Sequence, residues 1–225
     1  MYIHSEKAKQ IKKKVIVNFG DSIFGFGDGV VHSSPSISSY ISSLIENAEV
    51  YNISFGGTRM SAHAEHWDSL SMYRLADAIV NKDFTLQKNS LDVFDYEGFN
   101  LSFRKRIETL MKIDFEKVDI ITIAHGTNDY TAEKLLDDPQ NLYNIDTYAG
   151  ALRYSVNKIT QAYPNVKIFV CSPIYRYFEI DGKYTDGDEL SFNKDSNTLQ
   201  DFASMAKKSR MNSKRRLSIY ITKRA

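Results

Sequence analysis

Short apolar runs recur along the chain at intervals that predict the strands of one sheet. Runs of this length, rich in β-branched residues and lacking a polar/apolar alternation, are typical of strands buried on both faces. They cover residues 14–19 (KVIVNF), 49–53 (EVYNI), 118–124 (VDIITIA) and 166–171 (VKIFVC).

The segments between these runs carry apolar residues at helical spacing, most clearly at 35–45, 68–80, 101–113 and 147–163. Ser34-Pro35 is a helix-start signal for the first of them. The apolar residues that share one face of that helix are Ile37, Tyr40, Ile41, Leu44 and Ile45. Strands that alternate with helices predict an α/β protein, a three-layer α/β/α structure with a flavodoxin-like parallel sheet.

Two stretches have weak or no periodicity. Residues 81–100 are predicted to be a surface loop with a short helical piece. Residues 176–194 are predicted to be irregular, and they contain the turn signals Asp181-Gly182 and Asp186-Gly187.

The composition fits a single domain. The chain has 225 residues, 42% hydrophobic and 25% charged, and no linker rich in Pro, Gly or Ser interrupts it. Cys171 is its only cysteine, so no intrachain disulfide can form, and we expect a buried structural thiol.

Several classes of function find no support in the sequence. No Cys/His cluster has metal-ligand spacing and no Gly-rich phosphate loop occurs, so we expect neither a metal nor a cofactor. The first fourteen residues are polar and basic, the apolar run after them is too short for a signal peptide, and no run approaches the roughly 20 residues of a membrane span. We therefore expect a soluble, cytoplasmic protein.

Charge is distributed unevenly. Eight of the 29 Lys and Arg lie in residues 207–225, which contain no acid, so residues 1–206 hold 21 bases against 28 acids, a net charge of −7. A basic arm for an anionic partner is one interpretation. A C-terminus replaced by a frameshift is the other, and it is the one we favour.

Polar residues follow three of the predicted strands, and they carry the candidate chemistry. The segments are Gly20-Asp21-Ser22, Ser54 to Arg59 (SFGGTR) and His125 to Asp129 (HGTND). The carboxyl ends of parallel strands form one edge, so we expect these segments to meet there. Ser22 is then a candidate nucleophile, with Gly57 and Asn128 as oxyanion donors. Taken singly, each segment is also ordinary turn chemistry.

Together these segments resemble the SGNH/GDSL hydrolases, a family of esterases, lipases, thioesterases and carbohydrate deacetylases, over residues 14–208. The resemblance makes Ser22 of Phe19-Gly20-Asp21-Ser22 the nucleophile and its own N–H an oxyanion donor. It makes Gly57 the second donor, with Gly56 as the register alternative, and Asn128 the third. Ser54 stands where many relatives have glycine. The GxSxG elbow of α/β-hydrolases is absent.

The chain departs from the family at its C-terminal end. The family's Asp-x-x-His, which supplies the base and its orienting acid, has no counterpart, because every histidine lies at or before position 125 and no acid follows Asp201. We therefore expect residues 1–13 to be a polar extension, 14–208 an incomplete hydrolase domain without its last strand and helix, and 209–225 an atypical basic tail. The histidines that could replace the missing base are His32, His63, His66 and His125.

Two aromatic groups have alternative interpretations. Trp67, Met72 and Tyr73 line an acyl pocket or pack in the core, and residues 175–178 contact the substrate or form a solvent-facing flap.

Three functions are left open. The first is a serine ester hydrolase that cleaves acyl or acetyl esters of small molecules or carbohydrates through an acyl-enzyme, inactive in this form if the histidine is absent. The second is a catalytically dead protein of the same fold that binds an ester or glycan. The third is a binder of anionic polymers through the basic tail, although we expect no nucleic-acid partner. The sequence leaves the acyl group, the alcohol and the oligomeric state undetermined.

Overall fold

A five-stranded parallel sheet forms the centre of the computed structural model, which describes residues 13–25, 36–96, 100–208 and 218–220. Along the sheet the strands follow the order β2-β1-β3-β4-β7. Their bounds are β1 Lys14–Gly20, β2 Ala48–Ser54, β3 Ile120–Ala124, β4 Lys167–Cys171 and β7 Ser218–Tyr220. A separate antiparallel hairpin consists of β5 Tyr177–Ile180 and β6 Lys183–Asp186.

Helices flank the sheet and complete the three-layer α/β/α architecture. They are α1 Ser22–Gly25, α2 Ile37–Leu44, α3 Met72–Asn81, α4 Thr85–Tyr96, α5 Asn100–Leu110, α6 Thr127–Thr131, α7 Tyr148–Ala162 and α8 Leu199–Lys208. Short 3₁₀ segments occupy Glu65–Leu70 and Phe115–Lys117. Helix α3 packs against α7 and α7 against α8, whereas α2 and α5 contact β2. Among the described residues, no helix is long and apolar enough to cross a membrane.

The predicted strands and the parallel sheet are confirmed. All four runs form strands whose bounds lie within two residues of the prediction. Residues on β1 and β3, such as Val17, Phe19, Ile121 and Ile123, are completely buried, as expected of inner strands. The predicted long helix is also confirmed as α7, where the Thr147 side chain caps the first turn by accepting from the Gly150 N–H.

The expectation that the fifth strand is missing was wrong. Strand β7 pairs in parallel with β4, with Ser218 opposite Phe169 and Tyr220 opposite Cys171. Because β7 has only three residues, a hydrophobicity pattern could not reveal it, but it supplies backbone partners to the edge of β4. In the described part of the chain, no helix follows α8.

The predicted buried face of α2 was also wrong. Tyr40 is 57% exposed and Leu44 is 82% exposed, whereas Ser38 on the same helix is buried. The reason is a hydrogen bond from Asn18 Nδ2 of β1 to Ser38 Oγ, 2.8 Å long, which turns a polar side of the helix inward. The Ser34-Pro35 start signal lies outside the described residues, and the Ser36 side chain caps the helix instead.

Most of the predicted loop 81–100 is helix α4. Its inward positions are Gln87, Ser90, Leu91 and Phe94. These have helical spacing, but two of them are polar, so the apolar periodicity is broken. The Gln87 amide nitrogen is satisfied in the interior by donating to the Ser69 carbonyl at 2.7 Å, whereas its Oε1 has no hydrogen-bond partner among the described residues.

A buried polar link joins the sheet to α2. Asn18 is completely buried on β1. Besides its bond to Ser38, its Oδ1 accepts from Thr122 Oγ1 on β3 at 2.7 Å. A single amide thus satisfies hydroxyls from a helix and a neighbouring strand, and either hydroxyl would lose that partner without it.

Replacing this amide should destabilise the fold. We expect Asn18→Val to lower the free energy of unfolding by about 2 kcal/mol, because the hydroxyls of buried Ser38 and partly buried Thr122 lose a partner. Urea unfolding measures the change, with the exposed Ser43→Ala as control. The double variant Asn18→Val/Thr122→Val should lose less unfolding free energy than the sum of the two single variants, because it also removes the Thr122 hydroxyl that Asn18→Val leaves without a partner. Additive losses would contradict the proposed link.

Candidate active site

The segments after β1, β2 and β3 are joined to one another by hydrogen bonds. Phe55 N donates to Gly20 O at 2.9 Å, so the β2 loop lies directly against the end of β1. Thr58 Oγ1 donates to Phe55 O at 2.8 Å and lies 3.4 Å from Gly20 O. Asn128 Nδ2 donates to Thr58 O at 2.8 Å. The segments that hold Ser22, Gly57 and Asn128 therefore meet at one edge of the sheet.

Ser22 begins the short helix α1 immediately after β1. The Asp21 carboxylate accepts from Ile23 N at 2.9 Å, which closes the turn around the serine. The far end of α1 is held by Arg106, whose guanidinium donates to Gly25 O at 2.6 Å and to Ser54 O. The position of Ser22 is thus fixed from both sides by polar contacts.

Glycines leave space beside this serine. A Cβ atom on Gly56 would lie 3.7 Å from Ser22 Cβ, so the β2 loop faces the nucleophile position closely. Gly57 has φ +80°, and a Cβ there would meet the Trp67 ring at 3.2 Å. Glycine at position 57 is therefore favoured both by backbone conformation and by the ring beneath it.

Hydrogen-bond donors around Ser22 are unused. Within the described part of the chain, the backbone N–H groups of Ser22, Gly56 and Gly57 donate to no acceptor. The Asn128 side chain donates one amide hydrogen to Thr58 O and makes no second hydrogen bond to a described residue. An oxyanion requires hydrogen-bond donors that have no other acceptor, and the ends of three strands supply them here. Both Gly56 and Gly57 have such an N–H, so either glycine is a candidate donor.

Asp129 fixes the turn that carries Asn128, and sequence reasoning did not single it out. Its buried carboxylate accepts from Met60 N and Ser61 N, both at 2.9 Å, and from Ser61 Oγ at 2.6 Å. Burial raises the pKa of this carboxyl, and the three hydrogen bonds and nearby Arg59 oppose that shift. The signal in the sequence was an acid at the end of an apolar strand, which alone does not identify its partners.

Asp21 is a second buried carboxyl at the same edge. It is 2% exposed, and burial raises its pKa to about 6. The hydrogen bond from Ile23 N and the charge of Arg176 act in the opposite direction, whereas the charge of Asp129 adds to the increase. Ionising Asp21 therefore costs free energy in the folded chain.

His125, one of the four histidines that could replace the missing base, lies beneath the loops and not at their surface. It is 2% exposed, its Nε2 lies 3.4 Å from Thr58 Oγ1, and its Nδ1 has no hydrogen-bond partner. Burial lowers its pKa to about 3. Because the Thr58 hydroxyl already donates to Phe55 O, the hydrogen-bond network assigns the ring proton to Nε2. Its position suits a structural role for His125.

The other described histidines flank Trp67. The His63 ring stacks on Trp67 at a centroid distance of 5.8 Å, and its Nδ1 accepts from Ala64 N at 2.7 Å. Burial and the charge of Arg59 lower its pKa. The His66 ring lies 5.9 Å from that of Trp67. Ser22 Oγ hydrogen-bonds no described residue, so neither histidine is engaged with it. His32 lies outside the described residues.

The aromatic alternatives are now separated by burial. Met72 and Tyr73 are almost completely buried and belong to the core. Trp67 is partly buried and packs on Phe94 and Phe103 below the Gly57 loop. Residues 177–180 form the first strand of the hairpin, and Asp181-Gly182 is its turn, as the sequence indicates.

Comparison with solved structures supports this reading of the fold. One crystal structure aligns over 93% of this chain and 77% of its own, with a TM-score of 0.63 and 18% identity. A possible lipase from Chitinophaga pinensis DSM 2588 aligns over 92% of this chain and 66% of its own, just under two thirds, with a TM-score of 0.58 and 17% identity. The chain has the α/β/α fold of these two structures, which agrees with the fold that the resemblance of its sequence to the SGNH/GDSL hydrolases implies.

A third structure, of a Lactobacillus plantarum protein, is less similar, with a TM-score of 0.52 and 17% identity over 88% of this chain and 72% of its own. No protein-family model matches the sequence, and no curated protein matches it. At such identities the likeness extends to the fold and not to the reaction. Among the described residues, no group of three His, Cys, Asp or Glu side chains is placed to hold a metal.

The buried Asp21 carboxyl should make stability depend on pH. Its folded pKa of about 6 exceeds the ordinary value of 3.8, so the penalty is absent below pH 3.8, grows as the pH rises from 3.8 to 6 and is constant above that range. Asp21→Asn keeps an oxygen for Ile23 N and removes the titration. We expect its free energy of unfolding, relative to wild type, to rise by on the order of 2 kcal/mol between acidic and neutral pH.

Chemical unfolding at a series of pH values measures this difference. Asp114→Asn is the matched control, because the Lys117 ammonium lowers the pKa of that exposed carboxyl and its substitution should bring no gain at neutral pH. If the difference in unfolding free energy between Asp21→Asn and wild type did not change with pH, Asp21 would not be protonated in the folded chain at mildly acidic pH.

Proposed function

We propose that this chain is a serine ester hydrolase of the SGNH/GDSL type that cleaves acyl or acetyl esters of small molecules or carbohydrates. Ser22 attacks the acyl carbonyl, and water then releases the acyl group from the enzyme. The N–H groups of Ser22 and Gly57 and the amide of Asn128 stabilise the oxyanion. A cytoplasmic location and the extent of the hydrolase domain, residues 14–208, are part of the same proposal.

The observation that supports the proposal is the set of hydrogen-bond donors near Ser22 that have no acceptor among the described residues. Donors that are fixed before the substrate arrives need no reorganisation as negative charge develops, and one such donor lowers the barrier by roughly 3 kcal/mol. Here the Asn128 amide is oriented by Thr58 O and by the buried Asp129 next to it, so its geometry does not depend on the substrate.

The weak point of this chemistry is the base. Ser22 has no hydrogen-bond partner among the described residues, and His125 is buried with a lowered pKa. A serine without a base stays a weak nucleophile, although an oxyanion site still gives a residual acceleration of about 10³ to 10⁴ over water. The same observation favours a second candidate function, in which the chain binds an ester or glycan at this site without turnover.

Imidazole added in solution distinguishes the ester hydrolase from the protein that binds an ester or glycan without turnover. We expect slow hydrolysis of 4-nitrophenyl acetate by the chain alone and a clear increase with added imidazole, because imidazole can take the proton from the Ser22 hydroxyl. Ser22→Ala with imidazole is the control for the reaction of imidazole with the ester itself. A rescued rate equal to that of Ser22→Ala would exclude Ser22 as a nucleophile and leave the binding function.

Asn128→Ala tests the oxyanion site in the same assay. We expect a loss of about 10² to 10³ in the rescued rate, since one preorganised donor is removed. Tyr143→Phe, an exposed residue between α6 and α7, should leave the rate unchanged. An Asn128→Ala variant with the full rescued rate and an unchanged melting temperature would refute the proposed donor.

A further inference from the structure

The β5–β6 hairpin presents one of its two faces to the body of the protein. Phe178 packs against Tyr130 of α6 and against Phe192, at centroid distances of 5.6 and 5.5 Å. Arg176 lies two positions before Phe178, just ahead of the strand; it is exposed, and its guanidinium lies over the Phe178 ring. The backbone there is fixed as well, because Gly187 N donates to Arg176 O at 3.0 Å.

Arg176 reaches the turn that contains the oxyanion candidate. Its Nη1 donates to Thr127 Oγ1 at 3.2 Å, and Thr127 immediately precedes Asn128. Its positive charge also acts on Asp21, the residue before Ser22, by favouring the ionised carboxylate. The guanidinium therefore lies near the residues that directly precede Ser22 and Asn128.

The charge of Arg176 is not neutralised by a direct partner. Arg74, Arg104 and Arg153 each form an ion pair with an aspartate. Arg176 instead contacts a neutral hydroxyl and lies over the Phe178 ring at 4.5 Å, and within the described residues no carboxylate pairs with it. A stacked guanidinium has a restricted orientation and retains free N–H donors in a planar fork.

We propose that Arg176 is a specificity-determining residue that binds an anionic group, a carboxylate or a phosphate, on the ester held at the Ser22 site. This inference rests on the proposed function, because it assigns a substrate class to the same site. A guanidinium matches the two oxygens of either anion in a bidentate geometry. Its position beside Thr127 places that anion within one residue of the oxyanion donor.

Binding to the Ser22→Ala chain tests the proposal without turnover. The two probes are 4-acetoxybenzoate and its neutral methyl ester, which differ by one negative charge, and inorganic phosphate is a third probe that separates a phosphate preference from a carboxylate preference. We expect the anion to bind more tightly than the neutral ester at low salt and to lose this advantage as salt is added.

Adding Arg176→Gln should weaken binding of the anion by about tenfold and change the neutral ester less than twofold, because only the charge-assisted contact is lost. Arg176→Lys should bind the anion with an affinity between those of the chain with Arg176 and of Arg176→Gln, since lysine keeps the positive charge but not the planar pair of N–H donors. Lys183→Gln, on the same hairpin, removes one positive charge at an exposed position and should have no effect.

Equal binding of both esters, absence of binding by either anion, or equal losses with Arg176→Gln and Lys183→Gln would each overturn the proposal. A parallel loss for the neutral and anionic esters would show that Arg176 only holds the hairpin in place. The proposed hydrolysis is judged separately by the Ser22-dependent rate with 4-nitrophenyl acetate, a neutral ester. Anion binding without that rate would refute the hydrolysis alone.

Discussion

The buried carboxylate of Asp129 is the interaction on which the geometry of this edge depends. It accepts three hydrogen bonds from Met60 and Ser61, residues almost seventy positions earlier in the chain. Strand pairing alone fixes β2 and β3 up to their last residues, and the loops beyond them need another constraint. By binding one loop to the next, Asp129 sets the distance at which Asn128 meets Thr58 O, and through Thr58 the constraint reaches the end of β1.

This arrangement has a cost in stability. Two carboxyls, Asp21 and Asp129, lie buried at this edge. Burial raises the pKa of each, and the charge of Asp129 raises the pKa of Asp21 further. Arg176 and Arg59 reduce that cost from the rim without forming ion pairs to either acid among the described residues. Charge placed this way holds the loops rigid before any ligand arrives, and such sites commonly exchange stability for preorganisation.

The local pattern of hydrophobic residues was sufficient to predict the sheet, but it was insufficient to predict helices whose polar residues face inward. The four long strands and α7 could be predicted because their buried positions are apolar. Helix α2 and helix α4 could not, since Ser38 and Gln87 are buried through bonds to Asn18 and Ser69 that only the folded chain brings together. Strand β7 is too short for its own sequence to indicate it, and its pairing with β4 defines it.

For the site, sequence order could place Ser22, Gly57 and Asn128 at one edge, because the ends of parallel strands coincide. It could not rank the histidines, since proximity along the chain to Asn128 suggested His125, whereas strand alternation and burial direct that ring under Thr58. Nor could it reveal Arg176, which approaches Thr127 only because the hairpin packs through Phe178 onto Tyr130. The positions of the candidate nucleophile and its candidate donors thus follow from strand topology, whereas the burial of His125 and the position of Arg176 follow from side-chain packing around that edge.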